Sequence, residues 1–187
     1  TATGSNQVAV GSAALQYATT GANNTAVGDA ALRYTTIGST NTALGSSTLF
    51  LNTTGSNNTA VGYQAGYSNT IGTDNISIGR LAGYGTTTTS NNIAIGYNTL
   101  SQGAGSANNV VAGNEAQRYV GSSVVAIGHQ ALTSSTASNN TAVGYQAGYS
   151  NTTGVSQSFF GYQAGYTATG SPSNTFLGYR AGYTSAA

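Results

Sequence analysis

The residues of this chain that could do acid–base or metal chemistry are few and lie far apart in the sequence. The acidic residues are Asp29, Asp74 and Glu115, and the single histidine is His129. A nucleophile with its base, or a metal site, needs several such groups that converge on one point. The glycine-rich segments contain no phosphate-binding loop with a lysine. The sequence therefore predicts that the protein is not an enzyme and has no catalytic, cofactor-binding or metal-binding residues.

Composition and charge restrict the partners in the same way. Only 4% of the 187 residues are charged, and the net charge is +1, whereas about 25% of the residues of a soluble domain are usually charged. Nucleic acids and anionic membranes attract clusters of lysine and arginine, and this chain has none. No stretch approaches the roughly 20 apolar residues of a membrane span. We predict no nucleic-acid partner and no membrane insertion.

An internal repeat organises the whole chain. The motif Asn-Thr-Ala-Val-Gly and its variants recur at intervals of 17 residues, apart from one interval of 15 and one of 16. Such a repeat predicts that residues 1–187 form a single repeat domain, because each unit packs on its neighbours. The motif glycines are Gly11, Gly28, Gly45, Gly62, Gly79, Gly96, Gly113, Gly128, Gly144, Gly161 and Gly178.

The residues of one repeat predict a β-solenoid. Thr59, Ala60 and Val61 form a short run that favours β structure, and Asn and Gly at its ends favour turns. We expect a second, returning strand over Tyr63–Tyr67. The aliphatic residue before each motif glycine would form an apolar spine. Strand spacing of about 4.8 Å predicts a rod about 50 Å long.

An asparagine four residues before the motif glycine recurs in eight repeats. In a stack of equivalent coils these side chains would lie in one row and form an amide ladder, as in other stacked β structures. The asparagines of this predicted structural ladder are Asn24, Asn41, Asn58, Asn75, Asn92, Asn109, Asn140 and Asn174.

The motif resembles a known repeat type. The segments Asn92-Ile93-Ala94-Ile95-Gly96 and Val124-Val125-Ala126-Ile127-Gly128 resemble the head repeats of trimeric autotransporter adhesins. Similar repeats occur in bacteriophage tail fibres and other extracellular fibres. The resemblance implies a left-handed parallel β-roll with three chains side by side. The repeat of this chain is longer than is common in that family, which implies a longer turn or a larger cross-section.

The thin apolar content of each repeat favours self-association. One large aliphatic residue, one or two alanines and sometimes a leucine bury little surface for 17 ordered residues, and oligomerisation is a common remedy. We expect a homotrimer. No capping segment is evident beside Thr1–Asn6 or Ala186-Ala187, so either a longer protein supplies caps or subunits join end to end as a filament.

Tyrosines form two further rows. The first tyrosine row directly follows the motif glycine, and the second tyrosine row lies four residues later. Stacked rings would stiffen the rod, or they would bind surface glycans. His129 and Asp29 occupy positions of the first row, which favours reading both as exposed variants. The candidate surface-binding residues are Tyr63, Tyr67, Tyr145, Tyr149, Tyr162 and Tyr166.

These observations predict a function for the chain. It is a structural fibre protein, extracellular or on a cell surface or virion, whose identical chains form a rod or filament for display and attachment. One alternative is a glycan- or receptor-binding module of an adhesin or phage tail fibre. Another is an ice-binding β-solenoid, suggested by repeated threonines such as Thr25, Thr42 and Thr59.

Overall fold

The computed structural model describes residues 4–102, 105–119, 121–170 and 172–184, and the residues at the two extreme ends, Thr1 and Ala187 included, lie outside these ranges. Within them the protein is an all-β solenoid of about ten turns, which confirms the predicted fold class. Eleven three-residue strands form one parallel sheet in sequence order. The strands are β1 (Val8–Val10), β2 (Thr25–Val27), β3 (Thr42–Leu44), β4 (Thr59–Val61), β5 (Ile76–Ile78), β6 (Ile93–Ile95), β7 (Val110–Ala112), β8 (Val125–Ile127), β9 (Thr141–Val143), β10 (Ser158–Phe160) and β11 (Thr175–Leu177).

Equivalent residues of neighbouring coils pair directly. We number each coil by its strand; a coil begins with the residue directly before the strand and includes the segment that follows it. Thr25 pairs with Thr42, and Ala26 with Ala43. The short intervals keep this register, because Val110 pairs with Val125 although only 15 residues separate them. The two short repeats therefore lose residues from their turns and not from their strands. The hand of the coil stays a prediction.

The predicted return strand over Tyr63–Tyr67 is wrong. These residues form turns, since Gln64 has a φ of 55° and Gly66 a φ of 60°, and a strand needs extended backbone at every residue. Successive amides nevertheless bond between coils. The Gln64 N–H donates to the Ser46 carbonyl at 3.0 Å, and the Gly66 N–H donates to the Ala82 carbonyl at 2.9 Å. The segment thus satisfies its backbone without joining a second sheet.

The motif glycine is required by the turn that ends each strand. Gly62 has a φ of +125°, a value that residues with a Cβ atom rarely adopt. A Cβ atom there would also lie 2.8 Å from the backbone of Gly79 in the next coil. The coils are therefore too closely stacked at this corner for any larger residue.

The middle residue of most strands faces inward, and the aliphatic spine lies outside. From β2 to β10 the middle residue is buried, as Ala60 is, while Val61 beside it is only half-buried. Leu32, Leu49 and Leu132 of the turn segments are buried against these alanines. The predicted apolar spine therefore lies on the outside of the coil and does not form its core. The cross-section of the coil is narrow. The strand side must therefore carry a small residue where the turn segment on the opposite side carries leucine.

Phe159 shows how tightly the core is fitted. It replaces the usual alanine of the strand and is fully buried. A Cβ at Gly148 of the preceding coil would lie 2.7 Å from its ring, and one at Gly165 of the same coil would overlap it. The ring therefore occupies space that glycine leaves free in two successive coils.

A continuous amide ladder runs through coils 2–7. The Asn58 side-chain amide donates to Asn41 Oδ1 at 3.1 Å and to the Gly72 carbonyl at 2.8 Å. Asn58 Oδ1 in turn accepts from the Asn75 backbone N–H at 3.0 Å and from its side-chain amide at 3.1 Å. Each buried asparagine thus joins two coils and closes a turn. The members of this run are Asn24, Asn41, Asn58, Asn75, Asn92 and Asn109.

The remaining two asparagines lie beyond interruptions. Val124 takes the ladder position in coil 8, where its backbone N–H still donates to Asn109 Oδ1 at 3.0 Å. Asn140 donates to the Gly154 carbonyl at 2.9 Å and accepts from the Gln157 N–H at 2.8 Å. Asn174 lies half-buried at the same position of coil 11. The ladder is therefore one long run followed by separate members.

Removal of one rung should destabilise the protein strongly. Asn58→Ala deletes four side-chain hydrogen bonds and leaves buried donors and acceptors unpaired, so we expect a loss of about 3 kcal/mol in the free energy of unfolding. Denaturant unfolding measures it. Asn57→Gly is the matched control, because Asn57 is exposed with a φ of 59° and should change stability by less than about 0.5 kcal/mol. Equal losses in both variants would contradict the ladder's role.

Candidate functional site

The outer face of the sheet carries a long apolar surface. We call it the outer strip, meaning the third residue of every strand together with the first. The exposed fractions of six third-position side chains lie between 37% and 57%. Those six are Val10, Leu44, Ile78, Ile95, Ile127 and Phe160. No strand contains a charged residue, so the strip is apolar or weakly polar from β1 to β11.

Sequence reasoning named these residues as an apolar spine but did not place them on the outer face. The signal that could have corrected this was the alanine between them. In a three-residue strand the first and third side chains share a face, and only the face with alanine fits a narrow interior. Exposed apolar surfaces of this extent mark interaction sites.

The threonines of the motif lie on the same outer strip and do not form a continuous row. Thr25, Thr42 and Thr59 are the first residues of β2, β3 and β4. The next four strands carry Ile76, Ile93, Val110 and Val125 at that position. A regular array of hydroxyl groups, which an ice-binding surface would use, is thus broken in the middle of the rod.

The two tyrosine rows are stacks of rings along the rod. In the first row Tyr145 lies 5.1 Å from Tyr162, with their planes 11° apart. In the second row Tyr149, Tyr166 and Tyr183 repeat this geometry at 5.1 Å. A longer aromatic stack, which sequence reasoning recognised only in part, has two stacked parts joined by an edge-on contact between Tyr34 and Phe50. The parts are Tyr17 with Tyr34, one position later in their coils than the second row, and Phe50, Tyr67 and Tyr84 in the second row.

This stacking limits how the tyrosines could bind sugars. A pyranose ring packs on the face of an aromatic ring, and both faces of Tyr67, Tyr162 and Tyr166 are covered by stacked neighbours. These residues present ring edges and hydroxyl groups instead. Tyr63 stands apart, since Ser46 and Arg80 occupy its row in the adjacent coils. The inner rings of the stacks therefore act as a stiff surface, and ring faces are left at the ends of stacks and at isolated rings such as Tyr63.

Charged side chains are accommodated on these aromatic rows. The Arg80 guanidinium lies 4.5 Å from the centre of the Tyr97 ring, and that of Arg180 lies 4.0 Å from the Tyr183 ring. Both distances are within the range of cation–π attraction. Glu115 accepts a hydrogen bond from the Gln130 amide at 2.9 Å. The few charges are thus distributed along the rod and do not converge.

The groups considered for catalysis remain separate. His129 packs edge-on against Tyr145 at 5.5 Å, as a member of the first tyrosine row. Within the described ranges no three histidine, cysteine or acidic residues come together in a way that could hold a metal ion. The same ranges contain no helix long and apolar enough to cross a membrane.

The stacks make the protein sensitive to alkaline pH. Partial burial raises the pKa of the Tyr166 hydroxyl, and Tyr149 and Tyr183 raise it further. A raised pKa means that the neutral form is favoured by folding. This stability is present below the pKa of about 10 of an unfolded tyrosine and is lost as the pH rises through the folded value. We expect the melting temperature to fall above about pH 10, and to fall less in Tyr166→Phe. Tyr63→Phe, outside the stacks, should behave as the wild type; an unchanged loss in Tyr166→Phe would contradict this explanation.

Comparisons with known proteins give no match: no protein-family model, no curated protein and no solved structure corresponds to the chain.

Proposed function

We propose that the protein is a structural fibre subunit whose identical chains associate through the outer strip. The observation that supports this proposal best is that the third residue of the strip is apolar in all eleven strands. Burial of apolar surface drives association, and the third-position side chains of the strip would contact an apolar partner along its whole length. A second copy of the same rod carries the complementary surface at the same spacing.

The dimensions of the strip favour three chains over two. A three-residue strand is about 10 Å long and eleven coils span about 50 Å, so one face covers roughly 500 Å². Stable interfaces bury about 800 Å² per partner. In a trimer each chain meets two partners and also buries the flanks of its strip. The resemblance to the head repeats of trimeric adhesins supports the same number.

The edges of the sheet support growth along the rod axis. Within the described residues β1 pairs only with β2, and β11 pairs only with β10. Unpaired strand edges are templates for pairing with another chain. We propose that another rod, or a further segment of a longer protein, pairs with these edges, and that the neutral, stiff fibre serves display and attachment outside the cell, on a cell surface or on a virion.

The mass in solution tests the lateral association. At a dilution at which rods do not join end to end, we expect three times the chain mass of 18.5 kDa by sedimentation. Ile127→Lys places three lysines around one axis and should reduce the mass to that of one chain. His129→Lys is the matched control, because His129 is also exposed and lies two residues away in the same coil. A wild-type monomer, or equal behaviour of the two variants, would refute association through the strip.

Electron microscopy tests the end-to-end joining independently. We expect straight rods whose lengths are multiples of about 50 Å, the length of eleven coils. Discrete rods of a single chain length would refute the joining and leave the lateral association standing.

A further inference from the structure

The longer aromatic stack ends at Tyr84 in coil 5. One face of this ring lies against Tyr67 at 5.1 Å, with the planes 10° apart. In coil 6 the ring position is taken by Ser101, and in coil 7 by Arg118. Among the described residues no aromatic ring stacks on the second face of Tyr84. The row is therefore interrupted where a further tyrosine would otherwise continue it.

A pocket occupies the place of the missing ring. Its volume is about 380 Å³, and it is lined by Gln64, Leu81, Tyr84, Asn98, Ser101 and Gln102. The lining combines a tyrosine and a leucine with three amide side chains and the hydroxyl group of a serine. None of the six residues is charged.

Ser101 supplies the second, independent sign of a binding site. Its side chain is only 7% exposed, and its hydroxyl has no hydrogen-bond partner. Buried polar groups almost always have one. A rotation about the Cα–Cβ bond would redirect this hydroxyl, and the pocket is the open space beside it. The hydroxyl group of a bound molecule would provide the missing partner.

We propose that this pocket binds one uncharged pyranose ring, the terminal or internal sugar of a glycan. A pyranose has an apolar face of C–H groups and a rim of hydroxyl groups. The face would pack on Tyr84 and the side chain of Leu81, and the hydroxyl groups would bond with the amides of Gln64, Asn98 and Gln102. Pockets of this size with a few polar groups around an apolar wall are typical of small-ligand sites.

The absence of charge in the lining selects the class of sugar. An acidic sugar would lose water of hydration without gaining an opposite charge among the six lining residues. Arg118 lies one coil further along the row, and its Nε is buried without a hydrogen-bond partner. A uronic acid is therefore the appropriate competitor in the test.

The proposed fibre would leave this pocket accessible. The lining residues belong to the turn segments after β4, β5 and β6, whereas the outer strip lies on the strands. The pocket and the strip are thus on different parts of the coil. The inference does not depend on the proposed function, because a monomeric rod has the same pocket.

Saturation-transfer NMR on the full chain tests the proposal, with methyl β-D-glucopyranoside, methyl β-D-galactopyranoside and sodium glucuronate as the probes. For ligands of this size we expect a dissociation constant of about 1 mM for at least one neutral glycoside. Ser101→Tyr fills the pocket with the ring that the row uses elsewhere, so it should keep the fold and weaken binding at least about tenfold. Tyr84→Leu should weaken it similarly.

Tyr34→Phe is the control variant, because it keeps the ring that stacks on Tyr17 and Tyr34 does not line the pocket, and it should bind like the wild type. No saturation transfer from either neutral glycoside at about 10 mM would overturn the proposal. Equal binding by Ser101→Tyr would place any binding elsewhere and overturn it too. Stronger binding of glucuronate would overturn the assignment to an uncharged sugar. The sedimentation mass of each variant shows whether the chains still associate, so a loss of sugar binding can be distinguished from a loss of the proposed fibre.

Discussion

The backbone hydrogen bonds between coils are the interaction on which the rest of the structure depends. Strand amides and turn amides both donate to neighbouring coils, as the Thr59 N–H does to the Asn75 carbonyl at 2.8 Å and the Gly62 N–H to the Leu44 carbonyl at 2.8 Å. They hold equivalent residues in register at one coil spacing. Every side chain consequently meets its own repeat position above and below. Like charges at such a spacing repel, whereas asparagine amides donate to one another and tyrosine rings stack.

The narrow interior explains why large apolar residues lie outside. Strand and turn segment are so close that Ala60 and Ala65 are completely buried, and Leu49 lies close enough to Gly66 that a Cβ there would be only 2.9 Å from it. The middle position of the strand is therefore alanine or serine from β2 to β9 except in β7, where Val111 is buried. The aliphatic residue that β structure favours at the third strand position is therefore directed outward, where it needs a partner. The packing constraint that shapes each coil thus also creates the surface through which we propose that identical chains associate.

The sequence predicted those features that depend on period alone. The interval between motif glycines gives the strands and their register, and the recurring asparagine gives the row that Asn58 joins. The turn segment could not be predicted, because Gln64 in the left-handed region is stabilised by its bond to Ser46 in another coil and not by its own preference. The inward face could not be chosen either, since alternation separates Ala60 from Val61 without saying which is inside. The width of the core decides which residue faces inward, and that width depends on the tertiary packing of the strand against the turn segment.

Departures from the repeat carry different information from the repeat itself. Where Val124 replaces an asparagine, its backbone N–H still donates to Asn109 Oδ1, so the coil keeps the bond that register requires. Where Ser101 replaces a tyrosine, no other side chain takes over the role: a ring face is uncovered, a hydroxyl is left unpaired and a pocket opens. Both substitutions leave the fold intact, but only the second creates a shape that occurs at a defined place on an otherwise uniform rod. A uniform surface cannot orient a single ligand, because each coil offers the same contacts at every step. Specific recognition on such a fibre therefore requires an interruption, and the end of the stack at Tyr84 provides one.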